Sequence, residues 1–146
     1  MNSLVRVYVH FVWATWDREK SITSEVKLKV YPCIAAECRG LGGFPIEIGG
    51  MEDHVHALVR MPATACIADM GKAMKGGSSH LANSTLNLAT SFRWQGSYGA
   101  FSVSRDEVQT VRMYIRNQRE HHSSNTIIEE YERSSDLADS APEDGW

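Results

Sequence analysis

An α+β sandwich, one antiparallel sheet carrying helices, is the fold class this sequence predicts, and three observations carry the prediction. Short runs rich in β-branched and aromatic residues alternate with longer stretches of helical periodicity. The runs Phe44-Pro45-Ile46-Glu47-Ile48 and His54 to Met61 are joined through Gly49-Gly50, a link short enough to make them antiparallel neighbours. At 146 residues the chain can bury about 68–70% of its unfolded surface as one domain, so neither disulfides nor a structural metal is needed to hold it.

Each element follows from its residues. Val5 to Trp13 is β-branched and aromatic throughout and reads as a central strand. Thr23 or Ser24 caps a first helix with Glu25 in its first turn, and Val30, Ile34, Cys38 and Leu41 form its apolar stripe. Pro32 predicts a kink, and Gly40, Gly42 and Gly43 a stop. After the two antiparallel strands, Thr64 caps a second helix through Ile67, Met70 and Met74, which Gly76-Gly77 interrupts. Residues 83–99 read as a loop carrying Phe92, Trp94 and Tyr98, and Phe101-Ser102-Val103 as the last strand. Ser104 and Glu107 have the spacing of a capping box, which starts a final helix running to about His122. The order strand, helix, strand, strand, helix, strand, helix is that of a ferredoxin-like sandwich with an additional C-terminal helix. A single domain is expected over residues 1–133, followed by an acidic, mobile tail over 134–146.

The formal charge of −3 conceals an asymmetry. From Glu129 onward seven acids face the single Arg133, a balance of −6, which leaves residues 1–128 at +3. A mildly basic body permits a nucleic-acid partner. Cys33, Cys38 and Cys66 are odd in number and form no CxxC pair, which argues for reduced thiols and a cytoplasmic protein. No apolar run approaches the roughly 20 residues of a membrane span, and the N-terminus lacks the pattern of a signal peptide.

The chemistry concentrates in the strand that follows the glycine turn. Alternation puts His54 and His56 on one face, with Cα atoms about 6.5–7 Å apart, and Val55, Ala57 and Val59 on the other. Two neutral imidazoles can share one divalent cation if a third group completes the protein's contribution. In the final helix Val108, Val111, Ile115 and His122 form the inward stripe, with Gln118 inside it and Tyr114 at its edge. A glutamine there needs partners, because a buried unpaired amide costs about 1–3 kcal/mol. Its carbonyl suits Mg²⁺ or Mn²⁺ as a third ligand. Tyr114 beside such a cation can form a covalent intermediate with a phosphodiester, the phosphotyrosine conserving the bond for rejoining.

Other residues admit two readings. Arg105, Arg112, Arg116 and Arg119 fall within about 60° on the final helix, as a phosphate-binding ridge or as a solvated face. Lys75, Ser78 and Ser79 around the two glycines can grip phosphate or mark an ordinary helix break. The loop aromatics can stack bases or pin the loop to the core. Asp53 orients His54 or shapes the turn. His10, His80, His121 and His122 have no comparable geometry.

Taken together, His54-Val55-His56, Lys75-Gly76-Gly77-Ser78-Ser79, Trp94-Gln95 with Tyr98 to Ser104, and Tyr114-Ile115-Arg116-Asn117-Gln118-Arg119-Glu120-His121-His122 resemble the single-tyrosine transposases of the insertion-sequence 200/605 type, in the HUH superfamily. The resemblance runs from His10-Phe11-Val12-Trp13 to Glu129-Glu130-Tyr131. It implies a homodimer joined through its sheet, acting on single-stranded DNA and recognising end hairpins by shape. It further implies His54, His56 and Gln118 as metal ligands and Tyr114 as the nucleophile that forms a 5′-phosphotyrosine and frees a 3′-OH. In that family the tyrosine helix commonly serves the partner subunit's histidines. Two rivals stand beside this reading: a non-catalytic single-stranded nucleic-acid-binding module, and a domesticated repeat-associated DNA endonuclease. A zinc hydrolase fits less well, since the histidines lie on a strand and no Glu has the spacing of a zincin helix.

Overall fold

The structure, a computed structural model, describes residues 3–134. The predicted acidic tail therefore lies outside the described residues from Ser135 onward. One antiparallel sheet of four strands, β1 (Val7–Ala14), β2 (Phe44–Met51), β3 (His54–Met61) and β4 (Gly99–Val103), has the spatial order β2-β3-β1-β4. With the helices α1 (Ser24–Gly40) and α2 (Ile67–Thr85) in the two crossovers, this is the expected ferredoxin-like arrangement.

Both faces of the sheet are covered, which is why β1 reads as a continuous apolar run. Val9, Phe11 and Trp13 of β1 and Val55, Ala57 and Val59 of β3 form the larger core with Val26, Val30, Ile34 and Cys38 of α1 and Met70, Met74 and Ala82 of α2. The opposite face carries α3 (Val108–Arg116), whose Val111 and Ile115 pack on Leu58 and Val103. His10 and Val12 of β1 and His54 and His56 of β3 share that second face by strand alternation. The register pairs Val12 with His56 and Ala14 with His54.

Several local expectations are corrected. The glycines at 76 and 77 do not interrupt α2, which runs unbroken for 19 residues. A Cβ at Gly77 would stand 2.5 Å from the Glu37 carboxylate of α1, so this glycine serves helix contact rather than a break. Cys66, not Thr64, caps α2, its sulfur accepting from the Asp69 N–H at 3.4 Å. Pro32 lies on the exposed side of a continuous α1, where water can serve the carbonyl left without a donor. Thr23 does cap α1, accepting from the Val26 N–H at 3.3 Å. Ser104 and Glu107 make no side-chain capping bond; a 3-10 turn at Arg105–Glu107 opens α3 instead. The single final helix is two, because the chain turns at Asn117 and resumes as α4 (Gln118–Ser123). That turn places Gln118 at a helix start, and a further 3-10 turn follows at Glu129–Glu132.

Candidate active site

The alternation of β3 aims both histidine rings at the layer formed by α3, α4 and the segment after them. His54 is 3% exposed and His56 fully buried. A metal-ligating histidine needs its second nitrogen occupied, and each has such a partner. His54 donates from Nδ1 to Asp53 Oδ1 at 2.7 Å, so Asp53 orients the ring. His56 Nδ1 meets His10 Nε2 of β1 at 2.8 Å, the two rings stacked with centroids 5.1 Å apart. With those protons assigned to Nδ1, both Nε2 atoms are left as donors of a lone pair.

What faces them is oxygen. Gln118 Oε1 lies 3.0 Å from His54 Nε2, and Glu132 Oε1 lies 3.4 Å from the same atom. Glu132 Oε2 lies 2.7 Å from His56 Nε2, yet neither atom makes a hydrogen bond of acceptable angle. His122 donates from Nε2 to Gln118 Oε1 at 3.1 Å and to Glu132 Oε1 at 2.9 Å. The ligand atoms of His54, His56 and Glu132 all fall within 4.8 Å of one another. Two imidazole nitrogens, a carboxylate and an amide oxygen gathered in one buried place, with His56 Nε2 and Glu132 Oε2 left without a hydrogen bond, fit a divalent cation of mixed nitrogen and oxygen preference.

The charges of the cluster are coupled. Burial disfavours a charged His54, but its hydrogen bonds to Asp53, Glu132 and Gln118 outweigh burial and lift it to about 9. Burial of Glu132 is likewise overcome, by the close polar contacts of His54 and His56 that hold its carboxyl far below the ordinary range. Burial depresses His56 and takes His10 down to about 3, keeping both rings neutral. Without a cation, one proton on His54 does the work of positive charge between Asp53 and Glu132.

Tyr114 stands beside this cluster in the same chain, its ring 6.0 Å from that of His56, centroid to centroid. It is 4% exposed. Its hydroxyl oxygen accepts from the Ile128 backbone N–H at 3.0 Å, and Tyr131 and His121 pack against its ring. Burial raises the phenol above its ordinary pKa, and the Glu132 charge adds to the effect. In this arrangement Tyr114 is a neutral, covered phenol.

The structure thus brings together His54, His56, Gln118 and Tyr114 as the sequence predicts, and adds Glu132, His10 and His122. The phosphate ridge fares differently. Arg112 and Arg116 both pair with Glu47 of β2, at 3.1 and 2.8 Å, and Arg119 pairs with Glu52 at 2.8 Å. Periodicity of one helix could not reveal acids arriving from a neighbouring strand. Arg105 is exposed at the start of α3. Ser78 is fully buried, donating to the Met74 carbonyl and accepting from the Trp94 indole, so it is not open to phosphate. Lys75 donates to the carbonyls of Gln95 and Ser97, and Ser79 donates to Gly76 O. Phe92 is buried and Trp94 packs edge-on against Trp13 and Phe92, so these two aromatics pin their loop to the core.

Glu132 carries no signal in the sequence, standing in an acidic run at the end of the expected domain with no periodicity or motif to single it out. His10 carried a signal: it shares a strand face with Val12, and pairing with β3 brings that face to the histidines. Among the described residues no helix is long and apolar enough to cross a membrane.

Comparison with known proteins bears on the same residues. The family model described as transposase, IS200-like, matches residues 3–118. None of the curated proteins matches. Among solved structures, one described as a candidate transposase from Deinococcus radiodurans R1 is similar with a TM-score of 0.64 and 24% identity, covering 81% of this chain and 95% of that one. A REP-associated tyrosine transposase bound to a REP hairpin is similar with a TM-score of 0.62 and 13% identity, over 84% of this chain and 72% of that one. At these identities the two structures speak for the fold.

Proposed function

The chain belongs to the family of IS200-like transposases, and on that premise we propose that it cuts and rejoins single-stranded DNA, with Tyr114 as nucleophile and His54 and His56 as ligands of a divalent cation. The observation that supports this most is convergence. Tyr114, two histidines with their Nδ1 atoms already occupied, and the oxygens of Gln118 and Glu132 meet in one place, although 64 positions separate His54 from Gln118.

The phenolic oxygen of Tyr114 attacks phosphorus, a phosphorus–oxygen bond forms, and the bond to the 3′ oxygen breaks. The phenol's proton ends on that oxygen by way of solvent, leaving a 3′-OH and a 5′ phosphate held on the tyrosine. A bound Mg²⁺ or Mn²⁺ supplies neutralisation of charge on a phosphate oxygen. His54 and His56 would hold it with an oxygen from Gln118, Asp53 and His10 keep the rings in register, and Glu132 lies against the Nε2 atoms that would face the cation. The segment from Ile128 to Glu132 therefore moves away before the phenol can reach a substrate. A DNA hairpin, present in one similar structure, is the proposed partner, with a homodimer and a catalytic domain over residues 1–133 as parts of the same proposal.

One observation favours a second reading, the non-catalytic binding module: Tyr114 is covered and its oxygen already accepts a hydrogen bond. A single experiment separates the two. Labelled single-stranded DNA from the flanks of the gene is incubated with Mg²⁺ or Mn²⁺ and run on denaturing gels. Wild type should give a covalent adduct that Tyr114→Phe, His54→Ala and chelation abolish. DNA binding with no adduct under any metal would replace strand transfer by the binding module.

A further inference from the structure

The three paired arginines leave open where a nucleic acid meets unneutralised charge, and the answer lies on the other layer of the sheet. Between α2 and the loop from Phe92 to Tyr98 runs a groove of about 530 Å³ lined by Trp16, Lys75, Asn83 and Arg93 among others. A second hollow of about 260 Å³, lined by Lys72 and Tyr98, shares Lys75, Gly76 and Gly96 with it. Among the described residues no acid lines either hollow. Lys72 and Arg93 are exposed and make no ion pair among the described residues, in contrast to Arg112, Arg116 and Arg119.

The groove carries an aromatic platform. Trp16 is 43% exposed, a large apolar ring left in solvent at the end of β1. The Arg93 guanidinium lies 4.8 Å from the centre of its indole, so cation and ring form a stack that a flat π-system can extend. The wall opposite is fixed in advance. Asn83 holds the Phe92 backbone by two hydrogen bonds at 2.7 and 2.8 Å. Trp94 is tied to Ser78, and Lys75 spends two of its three donors on Gln95 and Ser97, leaving one. A site whose walls need no ordering on binding loses less entropy to its ligand.

Position links this groove to the histidines. The Thr15 N–H donates to Asp53 O, and the Trp16 N–H to Arg93 O. The residue that orients His54 and the wall of the groove are thus one strand end apart. We propose that this groove is a binding site for single-stranded DNA, separate from the Tyr114 centre, that stacks an unpaired base on Trp16 and Arg93 and takes the backbone phosphates on Lys72 and Lys75. The proposal rests on the reading that single-stranded DNA is the substrate, and unpaired bases are required because a duplex hides the faces that stack.

The test measures binding apart from chemistry. Fluorescein-labelled oligo-dT is titrated with Tyr114→Phe protein in EDTA, followed by anisotropy and by quenching of tryptophan emission. Adding Trp16→Ala or Arg93→Ala should weaken binding about tenfold or more, and Trp16→Phe should restore most of it. Lys72→Ala should lower the salt slope by about 0.7. A blunt duplex of equal length, which has no unpaired loop, should compete poorly. Circular dichroism establishes that each variant is folded. If Trp16→Ala and Arg93→Ala bind as tightly as their parent while wild type still forms the tyrosine adduct, the groove is overturned and strand transfer stands. If duplex competes as well as single strand, stacking is overturned. If neither the parent nor wild type binds single-stranded DNA, the groove and the proposed substrate fall together.

Discussion

His10 occupies a place that a carboxylate fills beside His54. Both partners take the Nδ1 proton of a candidate ligand, but Asp53 brings charge and His10 brings none, since burial keeps it neutral. The two ligands therefore differ in basicity by the neighbours they were given, not by their own chemistry. His10→Ala leaves His56 free to rotate and to change tautomer. Titration calorimetry with Mn²⁺ should show affinity weakened about 10–100-fold, and His10→Gln, which keeps an acceptor, should recover much of it. Unchanged affinity in His10→Ala would remove His10 from the site. His54, His56 and Tyr114 are legible because each obeys the period of its own element, and Gln118 because it lies one turn beyond Tyr114 across a break that keeps it buried. Glu132 obeys no period, sitting in a 3-10 turn after an irregular stretch. Its role exists only once the chain has folded back.

That stretch is the element on which access depends. From Ile128 to Arg133 the chain crosses the face beside α3, its main chain donating to Tyr114 and its carboxylate lying against the histidines. A Cβ on Gly99 would collide with the Arg133 carbonyl, so the segment rests directly on β4. Glu132→Gln retains the shape and removes the charge that His54 and His122 hold. It should loosen the segment, speeding hydrogen exchange at the Ile128 amide and raising the yield of tyrosine adduct. Slower adduct formation with a lost Mn²⁺ site would instead make Glu132 a standing ligand. At this scale strands are legible in the residues and helix ends are not. Gly76-Gly77 looked like a break because propensity counts only backbone freedom, whereas the close approach of α1 and α2 makes use of the missing side chain. The break at Asn117 went unseen for the opposite reason, because nothing in the residues around it forbids a helix.

Over the whole molecule, stability should track the protons of the buried cluster. His54, lifted from 6.5 to about 9, contributes fully below pH 6.5 and loses that contribution as pH rises through 9. His10 and His56 are held neutral in the fold, so below 6.5 the unfolded chain takes up protons they refuse, and stability falls. Glu132 and Asp53, both depressed, add stability present above their ordinary values that further acidification removes. Thermal melts in EDTA should therefore peak near pH 6.5, and saturating Mn²⁺ should flatten the alkaline arm by displacing the His54 proton. A melting temperature still climbing at pH 9 in EDTA would contradict the assignment. The ferredoxin-like arrangement is legible in the order of the elements, and the common face of the two histidines in strand alternation. The partition of charge is not, because Glu47 and Glu52 reach the α3–α4 arginines only across a strand edge.

Gly49 bears on how such a chain can change over generations. A Cβ there would stand 2.5 Å from the Ile115 carbonyl oxygen, so α3 rests on bare main chain beside Tyr114. The height of the tyrosine above the sheet is then set by the contact of two peptide backbones, not by side chains that can swap rotamers or sizes. Apolar residues of the layer can drift in identity while Tyr114 keeps its distance from the histidines. The freedom to vary and the need for a constant spacing are assigned to different atoms, and position 49 is where the chain has none of that freedom left.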